Sequence, residues 1–240
     1  MKTIAEEIAD GLEGTALAGD SQIVESLRDL RYYLAPLIMG VPTAGINIVP
    51  WYKNIGALVS AVTAEDEQTA RHSQRVAEIA MAVGNKLGLA LNEMESLHWG
   101  SLLHDIGKIA VDPQVKNKPG KLTPEEKRYI DLHAHFGAGI VEPVFGGKVA
   151  KMIEHHHNHY DGKGYNQTII GEDIPLGARI IAVADAFDAM ISDRPYRRAM
   201  TAEEARQEIM QCTEDQFDPK VVKSFVDYIG QISSARAGTA

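Results

Sequence analysis

Apolar residues recur along this chain at three- and four-residue spacing, the period of an amphipathic helix. Ile4 to Leu12 forms a short stretch of this kind. Asp20 can cap a second helix in which Ile23, Leu27, Leu30 and Leu34 share one face. A Pro/Gly-rich stretch from Pro36 to Pro50 then interrupts the pattern. Beyond it, Ile55, Leu58, Val59 and Val62 form one stripe. Val76, Ile79, Ala80, Val83 and Leu87 form another, stopped by Gly88. Three helix starts resemble capping boxes: Asn92 with Glu95, Thr123-Pro124 with Glu126, and Thr201 with Glu204. Asp218-Pro219 opens a final helix. Strand-like alternation is rare, and Gln167 to Ile170 is its best short candidate. The pattern predicts an all-α protein: a helical extension and linker over 1–50, a helical domain over 51–232, and a small polar tail over 233–240.

The composition narrows the class. With 240 residues, 45% of them hydrophobic and 24% charged, the chain can bury a core of ordinary size. A formal net charge of −9 argues against a polymeric nucleic-acid partner, which wants a broad basic surface. An anionic small substrate is still compatible, because a metal site carries its own positive charge. The single cysteine, Cys212, excludes an internal disulfide framework and fits a reducing cytoplasm. Met1-Lys2 leads into Glu6, Glu7 and Asp10 without the apolar core of a secretory signal. Tyr32 to Tyr52 carries no charge, but Pro36, Pro42 and Pro50 break any continuous helix, so no membrane span is expected.

The histidines carry the chemical signal. All nine fall between His72 and His159. Imidazole is the commonest metal ligand, and aspartate adds the hard oxygen that iron, manganese or magnesium accepts. His104-Asp105 ends the apolar run Leu102-Leu103 and precedes Ile106-Gly107-Lys108. Asp185 is embedded in Ile180-Ile181-Ala182-Val183-Ala184. Burying such groups unpaired costs several kcal/mol, roughly, so they need a strong partner. Taken singly, His72 could be a hydrogen-bonded surface or core histidine, Asp185 a helix–helix ion pair, and His155-His156-His157 a solvated loop. Together, each beside apolar helix, they point to metal. His135, His155 and His159 read as bystanders. His98, beside Trp99, is expected to pack near the helix carrying His104.

These residues stand in an order that resembles the HD superfamily of metal-dependent phosphohydrolases: a histidine, then His-Asp, then Asp. Within it the chain is similar to the HD-GYP family. The matching stretches are His72-Ser73-x-Arg75-Val76, Leu103-His104-Asp105-Ile106-Gly107-Lys108, Lys118-Pro119-Gly120, His133-x-x-x-Gly137 and His156-His157. They continue with Tyr160-Asp161-Gly162-x-Gly164-Tyr165, Ala184-Asp185-Ala186-Phe187-Asp188, Asp193-Arg194-Pro195-Tyr196-Arg197 and Phe217-Asp218-Pro219. The resemblance implies an HD-domain helical bundle and hydrolysis of cyclic di-GMP to linear pGpG or GMP. It implies that His72, His104, Asp105 and Asp185 hold one divalent ion. Asp105, His133, His156 and His157 hold the second, with Asp105 as the bridge. Lys108 reaches the scissile phosphate, and Arg194, Arg197 and Tyr165 contact the substrate. Two such ions can hold a hydroxide between them as the nucleophile. Iron or manganese suits this donor set first, and zinc, nickel or magnesium is also admissible.

Three departures qualify the resemblance. Gln68 stands where some members carry a glutamate that helps hold a third metal, so two ions are expected. Asn158 replaces the usual glutamate after the paired histidines. The signature Gly-Tyr-Pro reads Gly164-Tyr165-Asn166. The last two motivate an alternative reading as a weakly active cyclic-dinucleotide-binding signalling module. Another HD-type substrate, such as cyclic GMP-AMP, is a further alternative. The Ile23–Leu34 stripe could pair with a second copy to give a homodimer, or pack on its own domain.

Overall fold

The computed structural model describes residues 67–116, 118, 120–165, 169–193 and 198–237. The expected helices before residue 67, the boundary at residue 50 and the residues Asn166, Arg194 and Arg197 lie outside them. Among the described residues the protein is helical, with one isolated bridge between Thr213 and Phe217. Ile169 and Ile170 form no strand. No described helix is long and apolar enough to cross a membrane.

The helices follow in order. They are α1 (Glu67–Lys86), α2 (Leu91–Leu103), α3 (Pro113–Lys116), α4 (Pro124–Asp131), α5 (His133–Phe145), α6 (Gly147–Glu154), α7 (Leu176–Ile191), α8 (Ala202–Gln211) and α9 (Pro219–Ala237). Short 3₁₀ turns lie at Ile106–Ala110 and Gly171–Asp173. α9 runs to Ala237 and so takes in part of the segment expected to be tail.

Local chemistry sets several of these ends. Gly88 adopts φ +74°, and Leu89 N–H bonds back to the Gly84 carbonyl at 3.1 Å, which closes α1. Thr123 and Thr201 form the expected capping boxes with Glu126 and Glu204. The start of α2 differs from expectation. Ala90, not Asn92, is the cap, and Glu93 accepts the Ala90 N–H at 3.0 Å. Alanine has no capping oxygen, so the sequence signal favoured the nearest residue that does.

One core joins α1, α2 and α6 to α9. Val76, Ala80 and Val83 of α1 meet Leu97, Met152, Ile180, Ile181, Phe187, Ile209 and Phe225, all buried. Phe187 and Phe225 pack edge to face at 4.9 Å. Arg179 of α7 fastens α9. It donates to the Ile174 carbonyl at 2.8 Å and to buried Asp218, and Asp218 caps α9 by accepting Lys220 N–H at 2.7 Å. The loop after α6 is tied to the turn before α9, because Tyr160 and Asp161 donate backbone N–H to the carbonyls of Gln216 and Asp215.

A close backbone approach joins the 3₁₀ turn to α5. A Cβ on Gly107 would stand 2.0 Å from the His133 carbonyl oxygen and 2.5 Å from Gly137 N. Only glycine permits this contact, and it sets how near the turn comes to His133. Gly107→Ala is therefore expected to destabilise the protein by about 1–3 kcal/mol. Gly139→Ala is the control: its position is exposed with open space around it, and should gain about 0.5–1 kcal/mol from helix propensity. Urea unfolding of both variants checks this; equal midpoints would refute the tight-contact account.

Candidate metal centre

The side chains singled out in the sequence come from separate elements and converge. His72 lies in the middle of α1. His104 caps the C-terminus of α2, and Asp105 begins the following 3₁₀ turn. His133 opens α5, His156 and His157 follow α6, and Asp185 projects from α7. Two groupings have ligand atoms within 4.8 Å of one another: His72, His104 and Asp185, and separately His133, His156 and His157. A third, His104, Asp105 and His156, links them.

Asp105 stands between the two sets. Its Oδ1 lies 3.3 Å from His133 Nε2. Its Oδ2 lies 3.5 Å from His104 Nε2 and 3.9 Å from His72 Nε2. His72 Nε2 in turn lies 3.1 Å from Asp185 Oδ1. Two ligands held at ~2.1 Å from one ion lie roughly 3.0–3.4 Å apart, so the Asp105–His133 and His72–Asp185 spacings suit a shared cation, Asp105–His104 at 3.5 Å is close to it, and Asp105–His72 at 3.9 Å is wider. Lys108, one turn beyond Asp105, donates to Oδ2 at 2.6 Å.

Hydrogen bonding fixes how the rings are presented. His104 Nδ1 bonds to the Ser101 carbonyl at 2.7 Å, His133 Nδ1 to Ile130 at 2.7 Å, and His156 Nδ1 to Ile153 at 2.6 Å. A carbonyl only accepts, so each Nδ1 must carry the proton, and each neutral ring turns an Nε2 lone pair inward. All three Nε2 atoms are buried without a hydrogen-bond partner. His133 Nε2 also faces the Asp105 carboxylate, 3.3 Å from Oδ1. Orphaned nitrogens around a carboxylate form a donor set that a divalent cation satisfies. The residues therefore fit such an ion.

Protonation follows from the surroundings. Burial drives the imidazoles of His104 and His156 down, and that of His157 down to about 4. Asp105 is buried, which alone would raise its carboxyl. The Lys108 ammonium beside it more than offsets this and holds it well below the carboxylate range. His72 goes the other way. Burial would lower it, but hydrogen bonds to Asp185 and Asp188 raise it to about 9.

The sequence reading did not single out Asp188 and Arg75. Asp188 is fully buried, accepts His72 Nδ1 at 2.6 Å, and is gripped by Arg75 through Nε at 2.5 Å and Nη2 at 2.9 Å. Their signal was a three-residue offset: Arg75 follows His72, and Asp188 follows Asp185, each by one helical turn. Gly164 also bears on the centre. A Cβ there would meet His159 N at 2.4 Å and the His157 carbonyl oxygen at 2.8 Å, so the loop can close on His157 only with glycine. Tyr165 follows, half-buried, with its N–H 3.5 Å from the same carbonyl. Asn158 is buried beside the histidines, its N–H on the His155 carbonyl. His98 packs edge to face on Trp99 at 5.3 Å, while His135 is exposed.

A pH dependence follows for the metal-free protein. His157, depressed to about 4 from an ordinary 6.5, stays neutral when folded, while the unfolded chain takes the proton below 6.5. Stability should fall as pH drops through that window, and His104 and His156 add to the fall. His72, raised to about 9, contributes stability that is complete below 6.5 and lost as pH rises towards 9. Denaturant midpoints in the presence of chelator should peak near pH 6.5 and decline on both sides. A profile that rises steadily to pH 9 would refute the His72 assignment.

Comparisons with known proteins place the chain in a family. The HD domain family profile matches residues 57–221. A 3'3'-cGAMP-specific phosphodiesterase 2 from Vibrio cholerae is 36% identical over 183 residues, covering 75% of this chain and 35% of the relative. A cyclic di-GMP phosphodiesterase response regulator from Xanthomonas campestris is 35% identical over 195 residues, covering 77% of this chain and 52% of the relative. The chain thus spans between a third and about half of these relatives. Among solved structures, a cyclic GMP-AMP specific phosphodiesterase of Vibrio cholerae matches with TM-score 0.55 and 27% identity, over 72% of this chain and 47% of that one. The HD domain of the Listeria monocytogenes phosphodiesterase PgpH in complex with cyclic-di-AMP shares the fold, with TM-score 0.52 and 20% identity, over 74% and 97%. With the family profile covering most of its length, the chain belongs to the HD domain family.

Proposed function

We propose that this domain is a two-metal phosphodiesterase that hydrolyses cyclic di-GMP to linear pGpG. The observation that carries the reading is the position of Asp105, one oxygen towards His133 and the other towards His104 and His72. A carboxylate so placed suits a bridge between two cations. Bound ions would supply a water-derived nucleophile at neutral pH and offset charge on the phosphate. His72, His104 and Asp185 would hold one ion, and His133, His156 and His157 the other, with Asp105 shared. Iron or manganese suits these nitrogen and oxygen donors.

The chain's own residues do the rest. Lys108 is a mobile point charge about a third exposed, close enough to Asp105 to reach a phosphate held above it. Tyr165, on the loop closed over His157, is in position to line the substrate. Arg194 and Arg197 are proposed to grip the second phosphate or a guanine edge through bidentate hydrogen bonds. Relatives named for cyclic di-GMP and for 3'3'-cGAMP both align over most of this chain, which supports a cyclic dinucleotide as substrate class.

Purified protein supplied with Mn²⁺ or, anaerobically, Fe²⁺ should convert cyclic di-GMP to pGpG, followed by chromatography. Asp105→Ala should lower kcat/KM on the order of 10⁴-fold, as removal of one member of a catalytic unit does. Arg194→Ala and Arg197→Ala should act mainly on KM. Preference for 3'3'-cGAMP would reassign the substrate. Full metal loading with no cleavage of any cyclic dinucleotide would leave a binding module and refute the enzyme reading.

A further inference from the structure

His104, His133 and His156 find their Nδ1 acceptors in nearby backbone carbonyls at helix ends. His72 cannot. It lies mid-helix in α1, where the carbonyls of the preceding turn already accept helical N–H groups. Its Nδ1 bonds instead to Asp188, on a different helix and 116 residues away. Asp188 is wholly buried, and an acid there is retained only if strongly partnered. Arg75 supplies the partner with a side-on fork, Nε to Oδ1 and Nη2 to Oδ2, and also donates to Ser192 Oγ at 3.2 Å. Ser192 Oγ lies 3.5 Å from Asp188 Oδ2.

The pairs form two rungs across the crossing of α1 and α7. His72 faces Asp185 on one rung, at 3.1 Å. Arg75 faces Asp188 on the next, one turn along both helices. The bond from His72 to Asp188 is the diagonal. The carboxylate can only accept, so it fixes the proton on Nδ1 and turns Nε2 towards Asp185 and Asp105. Nothing comparable stands behind the rings of His133 and His156, which rest on neutral carbonyls.

We propose that Arg75 and Asp188 are positioning residues, which hold His72 in its metal-facing orientation and tune only the ion shared by His72, His104 and Asp185. The proposal rests on the two-ion reading above. Neither residue belongs to the ligand groupings of the two ions. Arg75 acts through Asp188, and Asp188 acts through His72. The outer partner of a metal-ligating histidine typically changes metal affinity about 10–100-fold when removed. The effect here is confined to one ion of the two.

Metal binding to the whole chain, measured by Mn²⁺ titration with elemental counting and electron paramagnetic resonance, separates the possibilities. Wild type should take two ions and give the signal of an exchange-coupled pair. Asp188→Ala and Arg75→Gln should weaken one ion about 10–100-fold and leave the other within about threefold. At one equivalent the variants should show an isolated six-line signal. Arg75→Lys should recover part of the loss, because it keeps the charge but not the fork. Arg75 is 40% exposed, so Arg75→Gln stays interpretable should Asp188→Ala fail to fold. Two ions bound with wild-type affinity in both variants would overturn the positioning pair while leaving the two-ion reading intact. Equal weakening of both ions would also overturn it. Wild type that binds no Mn²⁺ would overturn the two-ion reading itself, and the pair with it.

Discussion

The carbonyl groups at the ends of α-helices have no intrahelical partner, and this centre depends on how three of them are satisfied. The ends of α2, α4 and α6 offer the carbonyls of Ser101, Ile130 and Ile153, and the histidine three residues on bonds to each. One bond thus does two things. It completes a helix end, and it leaves the ring with a single tautomer and an inward Nε2. For these three rings direction is therefore fixed by where the helices stop, whereas His72 is held by the side chain of Asp188. The packing that aligns those three ends is what the rest of the bundle supplies.

That packing is stringent at few places. The 3₁₀ turn carrying Lys108 touches α5 backbone to backbone at Gly107, which brings Asp105 within reach of His133. Gly177 at the start of α7 leaves room for the Met152 side chain, where a Cβ would stand 2.5 Å from its sulfur. Methionine adapts to irregular space, so this second contact is the softer of the two. Leu97, Ile180, Ile181 and Phe225 fill the volume between the helices, each fully buried and contributing roughly 1.5–3 kcal/mol.

Much of this was legible in the sequence, and the exceptions are physical. The helical period and the two Thr–Glu boxes identified most elements, because each signal is local. The clustering of histidines beside apolar runs pointed to the candidate centre, because burial makes an unpaired polar group costly. The start of α2 was misread, since Ala90 offers no side-chain signal and Asn92-Glu95 mimics a cap. Asp188 and Arg75 stood inside the quoted motifs without a role. Their contact comes from an α1–α7 crossing that brings together residues 113 positions apart, and the two three-residue offsets take on meaning only once that crossing is known. The i−3 carbonyl bonds were equally invisible, because they need the helix ends to the residue.

The charges of the centre also balance among its own residues. Asp105 has Lys108 at 2.6 Å, Asp188 has Arg75 at 2.5 Å, and Asp185 has His72, whose imidazole holds its proton to about pH 9. Three carboxylates in an apolar bundle are thereby matched by three cations without an external ion. Small metallo-domains that lack such internal matching are unfolded until the ion arrives. Here the hydrophobic core and the paired charges are in place without an ion, and a divalent ion would compete with the local cations. Two of those, Lys108 and the His72 proton, would give way to it. Arg75, fixed in its fork on Asp188, stays, and its charge remains behind His72 whichever cation stands in front.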